Sequence, residues 1–166
     1  MSASLIEQAV KRAGIAGVSA GLTPQQQHDL LYDWRSWARP EQLPPPGDWL
    51  TWLVQAGRGF GKSRTGAEFI RDRVESQGAR RIALVGRTPA HVRDTMVEGE
   101  SGILACYPVA ARPLYESSKR RLTWRNGAIS LTFTSYEPDQ LRGPQFDTVW
   151  WDELAAFKYL RDTWDN

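Results

Sequence analysis

The stretch Ala56-Gly57-Arg58-Gly59-Phe60-Gly61-Lys62-Ser63 constrains this chain more than any other. Its glycines let the backbone curl so that successive N–H groups point inward, at an anion. Lys62 and Ser63 follow at once with an ammonium and a hydroxyl. On one side lies a short apolar run, Trp49 to Gln55, which reads as a strand. On the other, Lys62 to Ser76 reads as a helix with Ala67, Phe69, Ile70 and Val74 inward and Gly78 as its stop. A glycine-rich turn leading from a strand into a helix N-terminus is a phosphate cradle, because the helix end adds partial positive charge. The pattern is that of a nucleotide-binding P-loop, G-x-x-x-x-G-K-[ST], with Ala56 in place of the first glycine. Ala56 is expected to strain the turn modestly. Lys62 would reach the β- and γ-phosphates and Ser63 would ligate Mg²⁺, so ATP and Mg²⁺ are the expected ligands.

A phosphate loop needs a metal-binding acid at the end of another buried strand. Phe146 to Trp151 is that strand, and Asp152-Glu153 follow it. Asp152 would hold Mg²⁺, usually through water, since this ion prefers oxygen ligands and keeps part of its hydration shell. Glu153 would polarise the attacking water. Successive residues at a strand end point to different sides, so one acid can face the metal and the next the water.

The rest of the pattern alternates strands and helices. Ile82 to Val85 is a wholly apolar run typical of a buried parallel strand. Pro89 to Val97 reads as a helix. Arg121 to Trp124 and Ile129 to Thr134 flank Asn126-Gly127, a hairpin signal. The implied class is α/β, a mostly parallel central sheet flanked by helices. Ahead of it, Thr23-Pro24 start a helix carrying Leu30, Leu31, Trp34 and Trp37 on one face, ended by Arg39-Pro40. Leu43-Pro44-Pro45-Pro46-Gly47 form a rigid connector. Ser4 to Ala13 reads as a short amphipathic helix, and Gly14 to Gly21 as a linker. A net charge of +2 excludes a polycation, so any nucleic-acid contact must come from local patches. The single Cys106 excludes an internal disulfide, and no apolar run is long enough to span a bilayer.

Four blocks resemble the large terminase subunit of tailed bacteriophages, the motor that pumps DNA into the procapsid. They are Trp37 to Trp49, the arginine-bearing loop Gly57 to Ser63, Leu141-Arg142-Gly143-Pro144-Gln145-Phe146-Asp147, and Trp151-Asp152-Glu153-Leu154. The resemblance implies a RecA-like ASCE core with an extra strand between the two Walker strands and Glu153 as catalytic acid. It places Gln42 as an adenine contact, Arg58 as a sensor of the γ-phosphate, and Arg142 in a region that in some relatives supplies an arginine to a neighbouring subunit. It also implies double-stranded DNA, a procapsid portal and a small terminase subunit as partners, a homo-oligomeric ring, and the host bacterial cytoplasm. On this basis residues 1–22 are an arm and 23–166 an ATPase domain, with the adenine-side segment over 23–48 and the core over 49–166. That core is expected to be incomplete at its C-terminus, with no nuclease domain. A superfamily 2 helicase-like ATPase and a non-hydrolysing prophage remnant that only binds nucleotide or a partner are the alternative readings.

Two further features carry simpler expectations. Lys119-Arg120-Arg121 with Arg125 form a basic patch beside Trp124, read as a solvated hairpin face with DNA-backbone contact as the alternative. His28 and His91 are isolated in sequence and suggest no metal site.

Overall fold

The strand β1 (Arg81–Gly86) is buried along all but its first residue, because it is apolar on both faces and has a neighbour on each edge. In the computed structural model, which describes residues 21–165 together with Gly14, Gly17 and Val18, it lies at the heart of a five-stranded sheet. The helix expected over Ser4 to Ala13 lies outside the described residues, as does half of the linker after it.

The other strands are β2 (Leu114–Glu116), β3 (Arg121–Thr123), β4 (Ile129–Thr134) and β5 (Thr148–Trp151), in the order β2-β3-β4-β1-β5. β1 runs parallel to β4 and to β5, whereas β2, β3 and β4 are joined antiparallel. The sheet is therefore mixed, not mostly parallel. The cause is local: the turn at Asn126-Gly127 folds β3 back on β4, with the Trp124 N–H donating to the Ala128 carbonyl. β2 adds a strand that the sequence pattern did not announce.

The alternation along β1 assigns its two faces. Ile82 and Leu84 join Leu122 and Trp150 under helix α3 (Lys62–Glu75), whose Ala67, Ile70 and Val74 point inward, with Val92, Met96, Ile103 and Cys106 completing the cluster. Ala83 and Val85 face the other way, against Phe133, Leu141 and Phe157. That second face is covered by 3₁₀ turns at Pro138–Leu141 and Leu154–Ala156, not by long helices. α3 lies very close to β5: a Cβ on Gly66 would come within 2.2 Å of the Trp150 indole. Asp147 pins the start of β1, its Oδ2 accepting the N–H groups of Arg80 and Arg81 at 2.7 and 3.0 Å.

After β1, a single turn α4 (Pro89–His91) passes directly into a π-helix over Val92–Val97 instead of the regular helix expected there. A short α5 (Leu160–Trp164) ends the described chain.

The chain divides into two compact units between Val54 and Gln55. In the first, Thr23 and Gln26 form a capping box at the start of α1 (Pro24–Leu31). The expected single helix is broken after Leu31, and α2 (Trp34–Trp37) begins after Asp33. The break turns Leu31 out to solvent while the Trp37 indole N–H donates to the Leu30 carbonyl at 2.5 Å. The run Trp49 to Gln55, expected as a strand, joins no ladder among the described residues, and its Leu50 and Leu53 are exposed. An apolar run becomes a strand only where a neighbour takes up its backbone hydrogen bonds, and none of the described strands pairs with this one.

Candidate active site

The glycine loop does what its composition requires. Gly59 and Gly61 have φ of +77° and +85°, the left-handed region where a side chain would be strained. Ala56 is not in that region, so the expected strain at this position is absent. Gly61 is the N-cap of α3, and its carbonyl accepts both the N–H and the hydroxyl of Thr65, at 2.9 and 3.0 Å. Lys62 turns its ammonium back along the loop to the carbonyls of Ala56 and Gly57, at 2.8 and 3.0 Å. An ammonium has three donors, so one remains for a further acceptor. One turn on, the buried Glu68 holds Arg64 at 2.6 Å and Arg71 at 3.2 Å.

β5 brings the acids to this loop. The N–H of Asp152 donates to the Val85 carbonyl at 3.0 Å, which ties the residue to the end of β1. Its carboxylate is buried, and Oδ2 lies 3.5 Å from the Ser63 hydroxyl, 89 residues away in sequence. Burial pushes the Asp152 carboxyl above its usual range. His91, Ser63 and Lys62 oppose that shift, and Glu153 adds to it. Glu153 itself is exposed and sits at φ +57°, a conformation rare for a non-glycine residue.

His91 is the residue that sequence reasoning missed. Its side chain is only 14% exposed, and Nε2 stands 3.5 Å from Asp152 Oδ2 and 3.9 Å from Glu153 Oε2. Only Gly86, a small residue closing an apolar strand just ahead of the Thr88-Pro89 helix start, hinted that a ring would need room there.

Loop, helix and acids thus form one constellation, at the ends of three parallel strands. A family model described as terminase large subunit, T4likevirus-type, N-terminal, matches residues 53–165. The chain belongs to this terminase family. Neither the curated proteins nor the solved structures give a match to it. The matched span of the terminase chain contains the loop, both acids, His91, Arg58 and Arg142, and leaves out Gln42.

The other expected site residues of the terminase chain are placed as follows. Gln42 lies in the first unit and is buried, with its side-chain oxygen accepting the Arg39 N–H at 3.0 Å and so closing the 3₁₀ turn Pro40–Gln42. Arg58 is exposed within the loop, and Gly57 and Phe60 complete its path. Arg142 is exposed beside Asp139, 3.3 Å away. The basic patch is largely neutralised: Lys119 and Arg121 both bind Glu116, and Arg120 binds Glu137. Trp124 points into the core, its indole N–H donating to the Tyr107 hydroxyl at 2.9 Å. His28 is half exposed, 3.6 Å from Asp29. Among the described residues, no helix is long and apolar enough to cross a membrane.

Proposed function

We propose that this chain binds MgATP on the loop 56–63 and hydrolyses it as the nucleotide-handling part of a DNA-packaging motor. The observation that carries this is the convergence of the Ser63 hydroxyl and the buried Asp152 carboxylate at the mouth of the glycine loop. Two hard oxygen donors suit Mg²⁺. Among the described residues no group of three His, Cys, Asp or Glu side chains could hold a metal alone; the rest of the shell would come from phosphate oxygens and water, the usual mode for this ion. When bound there, Mg²⁺ would neutralise charge on the β- and γ-phosphate oxygens.

The chain's own residues would do the rest. The loop N–H groups and the N-terminus of α3 receive the phosphates. Lys62, already held against the loop, offers its ammonium to the β- and γ-oxygens. Glu153, next to Asp152 but on the exposed side, accepts a proton from the attacking water. Arg58 or Arg142 would meet charge on the transferred group, for which a planar guanidinium is suited. Gln42 would contact the adenine. The three parallel strands β4-β1-β5 with α3 above them support a RecA-like reading of the core. Membership of the terminase family supports double-stranded DNA, a portal and a small subunit as partners, a ring as the working assembly, and the host cytoplasm as its place.

The test is nucleotide binding and phosphate release for the parent, Lys62→Ala and Glu153→Gln. A charge-assisted contact is worth about 1.5–3 kcal/mol, roughly 10–100-fold in affinity. K62A should lose that much ATP affinity, while E153Q should bind ATP and release no phosphate. Undiminished ATP affinity in K62A would overturn the loop assignment. Binding without hydrolysis in the parent, unrescued by DNA, would leave a nucleotide-binding module.

A further inference from the structure

We propose that His91 is a positioning residue for the metal-binding acid, its Nε2–H steadying the Asp152 carboxylate in the orientation that receives Mg²⁺. This rests on the assignment of Ser63 and Asp152 above.

The local sequence builds the arrangement. The Thr88 hydroxyl accepts the His91 N–H at 3.1 Å and fixes the backbone of the single turn α4. The ring then lies back over Gly86. A Cβ at Gly86 would stand 2.8 Å from His91 Nδ1, 2.7 Å from Val92 Cγ2 and 3.2 Å from Met96 Sδ, so the last residue of β1 must be glycine for the imidazole to fit. Asp152 is held by its neighbour, the Val85 carbonyl. The acid's backbone and the ring are thus seated on consecutive residues of the most buried strand, and their separation is set by the sheet.

The ring's proton is placed by elimination. Nδ1 is buried and has no hydrogen-bond partner. A buried N–H without an acceptor is rarer and costlier than a bare lone pair. The ring's donor is therefore Nε2–H, on the nitrogen that faces Asp152 Oδ2 at 3.5 Å and Glu153 Oε2 at 3.9 Å. Ser63 reaches the same Oδ2. If the Ser63 hydroxyl turns to a metal, His91 remains as the donor that keeps the carboxylate from rotating. Outer partners of ligating carboxylates commonly act in this way.

Calorimetric titration of the full chain with ADP across a series of Mg²⁺ concentrations, from EDTA upward, tests this without turnover. The variants are His91→Leu, His91→Gln and Gly86→Ala. A glutamine amide nitrogen falls near the place of Nε2, whereas leucine removes the donor. H91L should keep the parent's ADP affinity in EDTA and need on the order of 10–100-fold more Mg²⁺ to reach the strengthened affinity. H91Q should restore most of that loss. G86A displaces the ring without changing its chemistry and should raise the Mg²⁺ requirement in the same direction. An H91L or G86A protein with the parent's Mg²⁺ requirement overturns the proposal, as does an H91Q protein no better than H91L. G86A decides the matter if H91L does not fold. A parent whose ADP affinity ignores Mg²⁺ overturns the metal-site assignment itself, and His91's role with it.

Discussion

Replacing Gly66 by alanine sets two physical effects against each other. In an exposed helix interior the change gains about 1 kcal/mol from helix propensity. Here the new Cβ would meet Cε2, Nε1 and Cζ2 of Trp150 at 2.2, 2.3 and 2.5 Å. Carbon contacts are favourable at about 3.5–4.0 Å, so the overlap exceeds ~1 Å and falls on a rigid ring. Overpacking of this kind costs about 1–3 kcal/mol and occasionally more. Trp150 is buried between α3 and the sheet, which leaves the ring little room to retreat and puts the cost at the upper end. The expected net effect is a loss of about 1–2 kcal/mol, or roughly 2–8 °C in Tm for a domain of this size. Urea and thermal unfolding of the parent and G66A measure it. Trp150→Phe removes the atoms that clash, so the double variant should depart from additivity by at least ~1 kcal/mol. The helix begins at the Ser63 side of the site and the strand leads to Asp152, so G66A should also need more Mg²⁺ to tighten ADP. A G66A protein with a Tm raised by the propensity gain alone would refute the close packing of α3 on β5.

Three other perturbations have signed outcomes. Glu153→Gly should stabilise the protein by about 1 kcal/mol, because glycine adopts φ +57° without the clash that a Cβ suffers, while phosphate release disappears; denaturant midpoints and an ATPase assay read the two effects. Burial raises the Asp152 carboxyl, so the folded state binds its proton more tightly than the unfolded state, and the parent's stability falls as pH rises from about 3.9 through that raised value. Asp152→Asn removes this slope and should be the more stable protein at pH 7 in metal-free buffer, with the advantage shrinking as pH falls through the raised value and gone below about pH 4; equal midpoints at pH 7 would count against a buried, ionised Asp152. Cys106 is buried, bonded to the Gly102 carbonyl at 3.4 Å, and burial pushes its thiol far up. It should resist a thiol-specific disulfide reagent until urea opens the fold, and its contribution to stability should fall as pH rises above about 8.5, where the unfolded thiol ionises.

How far the fold can be read from the chain depends on whether the signal is local. The hairpin at Asn126-Gly127 follows from turn chemistry and is present, and of the inward residues that periodicity assigns to α3, Ala67, Ile70 and Val74 are buried while Phe69 is only half-buried. The start of α1 follows from Thr23-Pro24 in the same way. Trp49 to Gln55 forms no strand because strand formation depends on a partner, and the partner is a property of the whole sheet. The continuous helix expected from Thr23-Pro24 to Arg39-Pro40 is instead broken at Tyr32-Asp33, with Asp33 as the N-cap of α2, which apolar spacing alone does not reveal. The basic patch reads as a solvated face, and its cations are paired there: Glu116 lies only three residues before Lys119, whereas Glu137, seventeen residues from Arg120, is brought to it by the fold. His91 is the clearest case, since nothing in its sequence neighbourhood names the two acids it faces, some sixty residues on.

The chemistry that the chain has to offer is written in short runs of residues: a glycine loop ending in Lys62 and Ser63, and an apolar strand ending in Asp152 and Glu153. Those are covalent neighbours, and their meaning survives without knowledge of the fold. Which groups meet is settled only once the chain is folded. The tertiary structure sets Ser63 at 3.5 Å from Asp152, admits His91 over Gly86, and presses α3 onto Trp150. The physical reason is that these distances are set by two parallel ladders on β1 and by the packing of one helix across them. Such constraints join residues far apart in the chain, where no local pattern records them.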